Sequence, residues 1–255
     1  MTVPPLVIAH VSDLHLGADD PLAVRTLAAD VAAATPTLTV VTGDCTMRAR
    51  PSQFRAAAAL LDRLPTPRLV VPGNHDVPLS VPARALRPYT RYRAAICADL
   101  DPLVRTPGLT ALGLNSMPRW RWKNGAVTGT QAGALVDHLG AATPGVRLLA
   151  LHHPPFATGA AGIVGRNRLE HALAAARVDL VLAGHTHVPR SRRVPLAGGH
   201  AVVEVVAGTA TSRRVRGTPR SWTLIRIDAG TIEVTPREEH AGTWQPTQPT
   251  RYPLA

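Results

Sequence analysis

Five short polar clusters, each set directly after an apolar stretch, constrain this chain more than any other feature. They are Asp13-Leu14-His15, Gly43-Asp44, Gly73-Asn74-His75-Asp76, His152-His153 and Gly184-His185-Thr186-His187. Asp, Asn and His offer oxygen or imidazole nitrogen to a hard or borderline metal ion. Taken singly, each has a simpler explanation. Asp13 or Asp44 could cap a helix, Asn74 could form a turn, and a lone histidine is commonly a hydrogen-bonded structural residue. Five in order, each at the end of a strand-like run, predict a fold that gathers them into one metal site.

The strand-like runs cover 6–11, 38–41, 68–71, 109–114, 146–151 and 179–183, several of them nearly continuous Val, Ile and Leu, as in strands buried on both faces. Helical periodicity fills 21–34, 52–64, 82–98, 128–139 and 168–177, with Pro21 and Pro82 in first turns and Ser52 as a cap. Past residue 194 the segments 200–206, 222–227 and 231–234 read as strands without helices between them. The class is therefore α/β, with one domain over 1–240 and a Pro-, Thr- and Gln-containing loose arm or strap over 241–255. In such sheets ligands collect where loops converge at the carboxyl ends of strands. Asp13 and His15 point to the same side if the chain is still extended there, and His185 and His187 repeat that spacing. Gly43, Gly73 and Gly184 permit tight exits from their strands.

A chain of 255 residues can bury a full core, and none of its apolar runs reaches the roughly 20 residues of a membrane span. The amino-terminal stretch lacks a basic region and runs straight into Asp13, so it does not read as a signal peptide; with two cysteines, Cys45 and Cys97, a reducing cytoplasm is the expected location. Cys45 reads as a small buried filler rather than a nucleophile. The net charge of +11 favours anionic partners, yet Lys123 is the one lysine in an Ala- and Pro-rich chain, a sign of base-composition bias. That bias weakens the inference from charge to nucleic acid, and 4% aromatic residues argue against a base-stacking platform. His138, His171 and His200 read as structural or surface residues. Arg213 and Arg214 stand evenly between phosphate clamps and solvated arginines. Trp120-Arg121-Trp122-Lys123 could stack on a substrate base, pack as a flap or form an oligomer contact.

The order D-x-H, GD, GNHD, H, GHxH resembles the calcineurin-like metallophosphoesterase superfamily over about residues 8–190, and 208–214 with 221–228 are similar to its small bacterial cyclic-nucleotide-phosphodiesterase-like branch. The resemblance implies a four-layer α/β/β/α sandwich, two mixed sheets flanked by helices, with a binuclear metal centre at one edge. It implies that Asp13, His15 and His187 hold one ion, that Asn74, His152 and His185 hold the other, and that Asp44 bridges them. His152 is preferred to His153 because the family uses the first of such a pair. His75 takes the catalytic role of proton donor or transition-state stabiliser, with Asp76 orienting its ring. Iron or manganese is the favoured metal, while zinc or cobalt suits the donor set. GNHD in place of GNHE points away from protein Ser/Thr phosphatases. The implied activity is metal-bridged hydroxide attack on small nucleotide-like or other organic phosphodiesters, cyclic nucleotides first. A nuclease-type DNA phosphodiesterase and a non-catalytic metal-binding module are the alternatives, and homodimerisation fits small family members.

Overall fold

The computed structural model describes residues 5–140, 145–159 and 162–254. The first four residues of the amino-terminal stretch and Ala255 of the carboxyl-terminal one lie outside the described residues. The βα-alternating front runs β1 (Leu6–Val11), α1 (Pro21–Ala33), β2 (Leu38–Val41), α2 (Pro51–Leu61) and β3 (Arg68–Val70). Two short helices, α3 (Val81–Leu86) and α4 (Thr90–Ala95), lead to β4 (Leu103–Thr106) and β5 (Leu109–Leu114). Then come α5 (Gly129–Leu135), β6 (Val146–Leu151), α6 (Arg166–Ala175) and β7 (Leu180–Ala183). The β-rich end consists of β8 (Arg190–Pro195), β9 (Ala201–Val206), β10 (Ser221–Asp228), β11 (Thr231–His240), β12 (Thr243–Pro246) and β13 (Thr250–Pro253).

These strands form two mixed sheets. One has the order β12-β11-β10-β1-β2-β3, with β13 also paired to β11; the other has the order β4-β5-β6-β7-β9-β8. Within them β1, β2 and β3 run parallel, as do β5, β6, β7 and β9. The period-two alternation of strands sorts their apolar residues into layers. Ile8, Val40, Leu148 and Leu182 join the core between the sheets, while Ala9, Val11 and Val41 pack outward on Leu27 and Val31 of α1 and on Leu60 of α2. On the far side Leu149, Leu151 and Val181 pack on Leu135 of α5 and Leu169 and Leu173 of α6. The result is the four-layer α/β/β/α sandwich. Among the described residues no helix is long and apolar enough to cross a membrane.

Several local expectations are corrected. Residues 241–255 are not a loose arm through most of their length: β12 and β13 pair with β11, Trp244 is buried with its Nε1 donating to Thr26 Oγ1 of α1, and Tyr252 donates to Ser191 Oγ on β8. Ser52 does not cap α2. Proline at position 51 starts that helix, and the Gln53 side chain accepts from the Arg48 and Arg50 amides instead. The stretch 82–98 breaks into two helices at Arg87–Tyr89, where Pro88 cannot donate a helical hydrogen bond. Asp20 caps α1 through the Leu22 and Ala23 amides.

Candidate metal centre

The parallel strands β1, β2 and β3 of one sheet and β6 and β7 of the other end on the same side, so five loops converge there. The loops are stitched together by backbone hydrogen bonds: the Asp13 amide donates to Gly43 O, His15 to Asp44 O, and Gly184 to His152 O. The chain does not stay extended through them. Asp13 (φ 54°), His15 (φ 50°), Asp44 (φ 51°), His185 (φ 70°) and His187 (φ 61°) all occupy the left-handed region. Each such residue costs on the order of 1–3 kcal/mol and persists only where its surroundings over-determine it. Both members of each spaced pair therefore reach the site by a left-handed turn, not by the extended geometry expected from their spacing.

All seven expected ligands meet. Asp13 Oδ1 lies 3.1 Å from His187 Nε2 and 3.6 Å from His15 Nε2, and the two imidazole nitrogens are 3.0 Å apart. Asn74 Oδ1 lies 3.1 Å from His152 Nε2 and 3.0 Å from His185 Nδ1. Asp44 stands between the groups, its Oδ2 3.6 Å from His15 Nε2 and 3.4 Å from His152 Nε2. Its other oxygen, Oδ1, accepts the His75 amide at 2.8 Å. Asp13, His15, Asp44, His152 and His187 are buried.

The donor set fits metal ions. Asp13 Oδ1 is buried and accepts no hydrogen bond. His152 Nδ1 donates to Thr42 O at 2.7 Å and His187 Nδ1 to Arg214 O at 2.9 Å, which turns Nε2 of each ring toward the cluster, where a cation can take the place of its proton. Lone pairs that face one another across about 3 Å call for a proton or a cation between them. The electrostatics agree. Burial pushes the Asp44 carboxyl up, but the surrounding His152, His15 and His75 rings outweigh it and hold the group below its ordinary range. Burial likewise disfavours a charged His152, yet Asp44 and Asp13 raise it to about 9, so the pocket draws positive charge to this nitrogen. His185, burdened by burial and by His152, falls to about 4 and is neutral, as a ligand must be.

His153 sits close to His152 and His185 and could complete a cluster with them. Its ring nitrogens are already engaged, Nδ1 with Ser116 Oγ at 2.8 Å and Nε2 donating to Lys123 O at 2.7 Å, so His152 is the better-placed ligand. His75 lines the open cavity beside the cluster. Its Nδ1 donates to Met47 O at 2.8 Å, leaving Nε2 for that cavity. Asp76 does not orient this ring, contrary to expectation. Its carboxylate accepts the Cys45, Thr46 and Gly73 amides and so locks the Asp44 loop to the Asn74 loop. Glycine is required at Gly43 and Gly73: the first has φ +89°, and a Cβ at the second would overlap Asp44 Oδ1.

Other residues sort out as follows. Arg214 lines the cavity, joined by Lys123 and by Arg216, which sequence reasoning missed; Arg213 is not among the lining residues. Neither Trp120 nor Trp122 faces the cavity. They border a separate groove with Arg84, whose guanidinium lies 4.6 Å over the Trp122 ring. His200 is buried with Nε2 donating to Val178 O, and His171 stands on α6 with Nδ1 donating to Asn167 O. Cys45 is buried and unpaired, and burial raises its thiol well above the ordinary value, which suits a filler.

The family model of calcineurin-like phosphoesterases matches residues 6–189. A cAMP/cGMP dual specificity phosphodiesterase from Mycobacterium tuberculosis is 29% identical over 205 residues, 72% of this chain and 62% of that protein, so the match spans less than two thirds of the relative. A probable cyclic nucleotide phosphodiesterase from Synechococcus sp. is 29% identical over 71% of this chain and 73% of its own length. The crystal structure of a dimetal phosphatase from Danio rerio superposes with a TM-score of 0.67 at 13% identity, covering 98% of this chain and 99% of the other, a likeness of fold. On the match of sequence along most of its length, the chain belongs to the calcineurin-like phosphoesterase family.

Proposed function

We propose that this protein hydrolyses phosphodiesters at a two-metal centre, with small nucleotide-like or other organic diesters as substrates and cyclic nucleotides as the first candidates. The observation that carries the reading is the position of Asp44, whose Oδ2 lies within 3.6 Å of one imidazole from each of the two ligand groups. Asp13, His15 and His187 would hold one ion, Asn74, His152 and His185 the other, and Asp44 would touch both. The mixed nitrogen and oxygen set suits iron or manganese, and zinc or cobalt also. When bound, the ions supply Lewis-acid activation of water and charge neutralisation at the phosphoryl oxygens.

The chain's own groups do the rest. The Met47 carbonyl holds His75 by Nδ1, so that Nε2 faces the leaving oxygen. Burial disfavours the charged ring, and the imidazolium, formed once the substrate's negative charge is beside it, is the form that gives its Nε2 proton to that oxygen, a role worth roughly 10²–10⁴ in rate. The Thr42 and Arg214 carbonyls keep His152 and His187 in the tautomer that a ligand needs. The two unpaired cysteines support a reducing cytoplasm as its compartment.

The test is a panel of Mn²⁺, Fe²⁺, Zn²⁺ and Co²⁺ against an aryl monoester, bis-p-nitrophenyl phosphate, cyclic AMP and DNA, with Asn74→Ala and His75→Ala as controls. Diester turnover that both variants lose is the expected result. No turnover of any diester with any metal would contradict it.

A further inference from the structure

The cavity beside the ligand cluster, of about 270 Å³, is lined by more cationic than anionic side chains. Three exposed cations line it, Lys123, Arg214 and Arg216, and its one carboxylate is Asp44, already committed to the cluster. Lys123 is the single lysine of the sequence. A cyclic nucleotide or simple diester carries one negative charge, and in the proposed centre that charge faces the metal ions. It leaves the three side chains without an anion to meet.

Their placement says where a second anion would sit. The Arg214 carbonyl accepts His187 Nδ1, and its guanidinium reaches Met47 Sδ at 3.7 Å, the residue whose carbonyl holds His75. On the opposite flank the Lys123 carbonyl accepts His153 Nε2, and His153 packs against His185 with ring centroids 4.6 Å apart. The loop that carries Lys123 is itself tied down: Arg84, 3% exposed, donates to the Arg119 and Arg121 carbonyls and to Pro78 O at 3.1 Å, with no carboxylate partner among the described residues. The buried arginine thus ties the backbone of the loop before Lys123 to Pro78 and so fixes where that residue leaves the chain. The side chains of Lys123, Arg214 and Arg216 line one cavity with Asn74 and His185 of one ligand group and His187 of the other.

We propose that the preferred substrate carries a second phosphate next to the scissile one, as in a diester of pyrophosphate, and that Lys123, Arg214 and Arg216 bind it. Guanidinium and ammonium groups pair readily with phosphate oxygens. The inference rests on the phosphodiesterase reading and narrows its substrate class. In the reaction, water oxygen bonds to one phosphorus and the bridging P–O bond breaks. The departing phosphate keeps the bridging oxygen, and the two protons of water end one on each product or in solvent, giving two phosphomonoesters with no redox change.

Two measurements test it. With Mn²⁺-loaded enzyme, kcat/KM for diadenosine pyrophosphate exceeds that for cyclic AMP, which shares the adenosine but lacks the second phosphate. In Lys123→Ala/Arg216→Ala, both positions exposed and so dispensable for folding, the ratio of kcat/KM for the pyrophosphate over bis-p-nitrophenyl phosphate falls about tenfold or more, chiefly through KM, as expected for a lost charge-assisted contact. Separately, ADP binds the chelator-treated protein in calorimetry, more weakly in the double variant and at higher salt. A cyclic AMP preference, an unchanged ratio, or ADP binding that the double variant leaves intact would overturn the proposal. Failure of all hydrolysis would instead remove the phosphodiesterase reading, with the calorimetry still deciding whether the cations recognise a diphosphate.

Discussion

The Nε2 atoms of His15 and His187 face each other at 3.0 Å although the residues are 172 positions apart in the chain. The His187 ring is held by the Arg214 carbonyl, while His15 is fixed through its backbone, left-handed and with its amide donating to the Asp44 carbonyl. Two such nitrogens resist being pressed together unless something positive lies between them. On the proposed two-metal reading, His187→Ala should weaken the binding of an ion at the Asp13 group about 10-fold or more, the level that even supporting residues of metal sites command. Metal analysis after dialysis reads this directly, and retention of wild-type metal content would contradict it.

His75→Gln separates chemistry from binding. The ring contributes no ligand atom to either group, so metal content is retained while kcat for bis-p-nitrophenyl phosphate drops by roughly 10²–10⁴. A kcat within threefold of the wild type would remove His75 from the reaction.

Gly73→Ala probes how tightly the Asp44 carboxylate is seated. The backbone at this position has an ordinary φ of −106°, so alanine meets no conformational penalty, but its Cβ would collide with Asp44 Oδ1 and the Asp44 backbone nitrogen. Displacing a reacting group's support by about 1 Å costs on the order of 10²-fold. Activity should fall by that much with circular dichroism unchanged; full activity would mean that Asp44 has room to move.

How much of this was legible beforehand follows from what leaves a mark in sequence. Runs of Val, Ile and Leu ending at Val11, Val41, Val71, Leu151 and Ala183 mark strands buried on both faces, and the polar residues after them mark the loops that meet. Glycine at 43, 73 and 184 marks the tight exits. Backbone carbonyls leave no mark, so the groups that orient the imidazoles, Thr42 O, Met47 O and Arg214 O, could not be read; the conspicuous Asp76 stood in for one of them. Strand β8 was hidden because Arg190, Arg192 and Arg193 sit on a sheet edge, where charge guards against further pairing. The arm was misread because its strands are short and Pro-bounded, and their anchors, Trp244 on α1 and Tyr252 on β8, are contacts across the fold.

His10 gives the chain a pH dependence that is separate from the cluster. It is buried in β1 with Nε2 2.9 Å from Thr42 Oγ1, and burial lowers it from 6.5 to about 3 against a smaller opposing pull from Asp13. The unfolded chain takes up this proton below about pH 6.5 while the folded chain refuses it until about pH 3. The stabilising contribution is therefore complete above pH 6.5 and is lost as pH falls, by up to about 1.4 kcal/mol per pH unit. In chelator-treated protein, denaturant midpoints from pH 7 to 4 should fall more steeply for the wild type than for His10→Gln. Equal slopes would contradict the buried, neutral histidine.

Chelation itself should destabilise the fold. Ions that bind only the folded chain add about 2.7 kcal/mol at a concentration 100 times Kd, so thermal unfolding should move down on metal removal and recover when Mn²⁺ is returned. An unfolding temperature indifferent to both steps would argue against a site formed by folding.

The most direct test of the account is a crystal of the Mn²⁺-loaded protein examined for anomalous scattering. Two peaks should flank Asp44 Oδ2, one against Asp13, His15 and His187 and the other against Asn74, His152 and His185. A single peak away from Asp44, or none, would contradict the bridged two-metal centre on which the proposed hydrolysis depends.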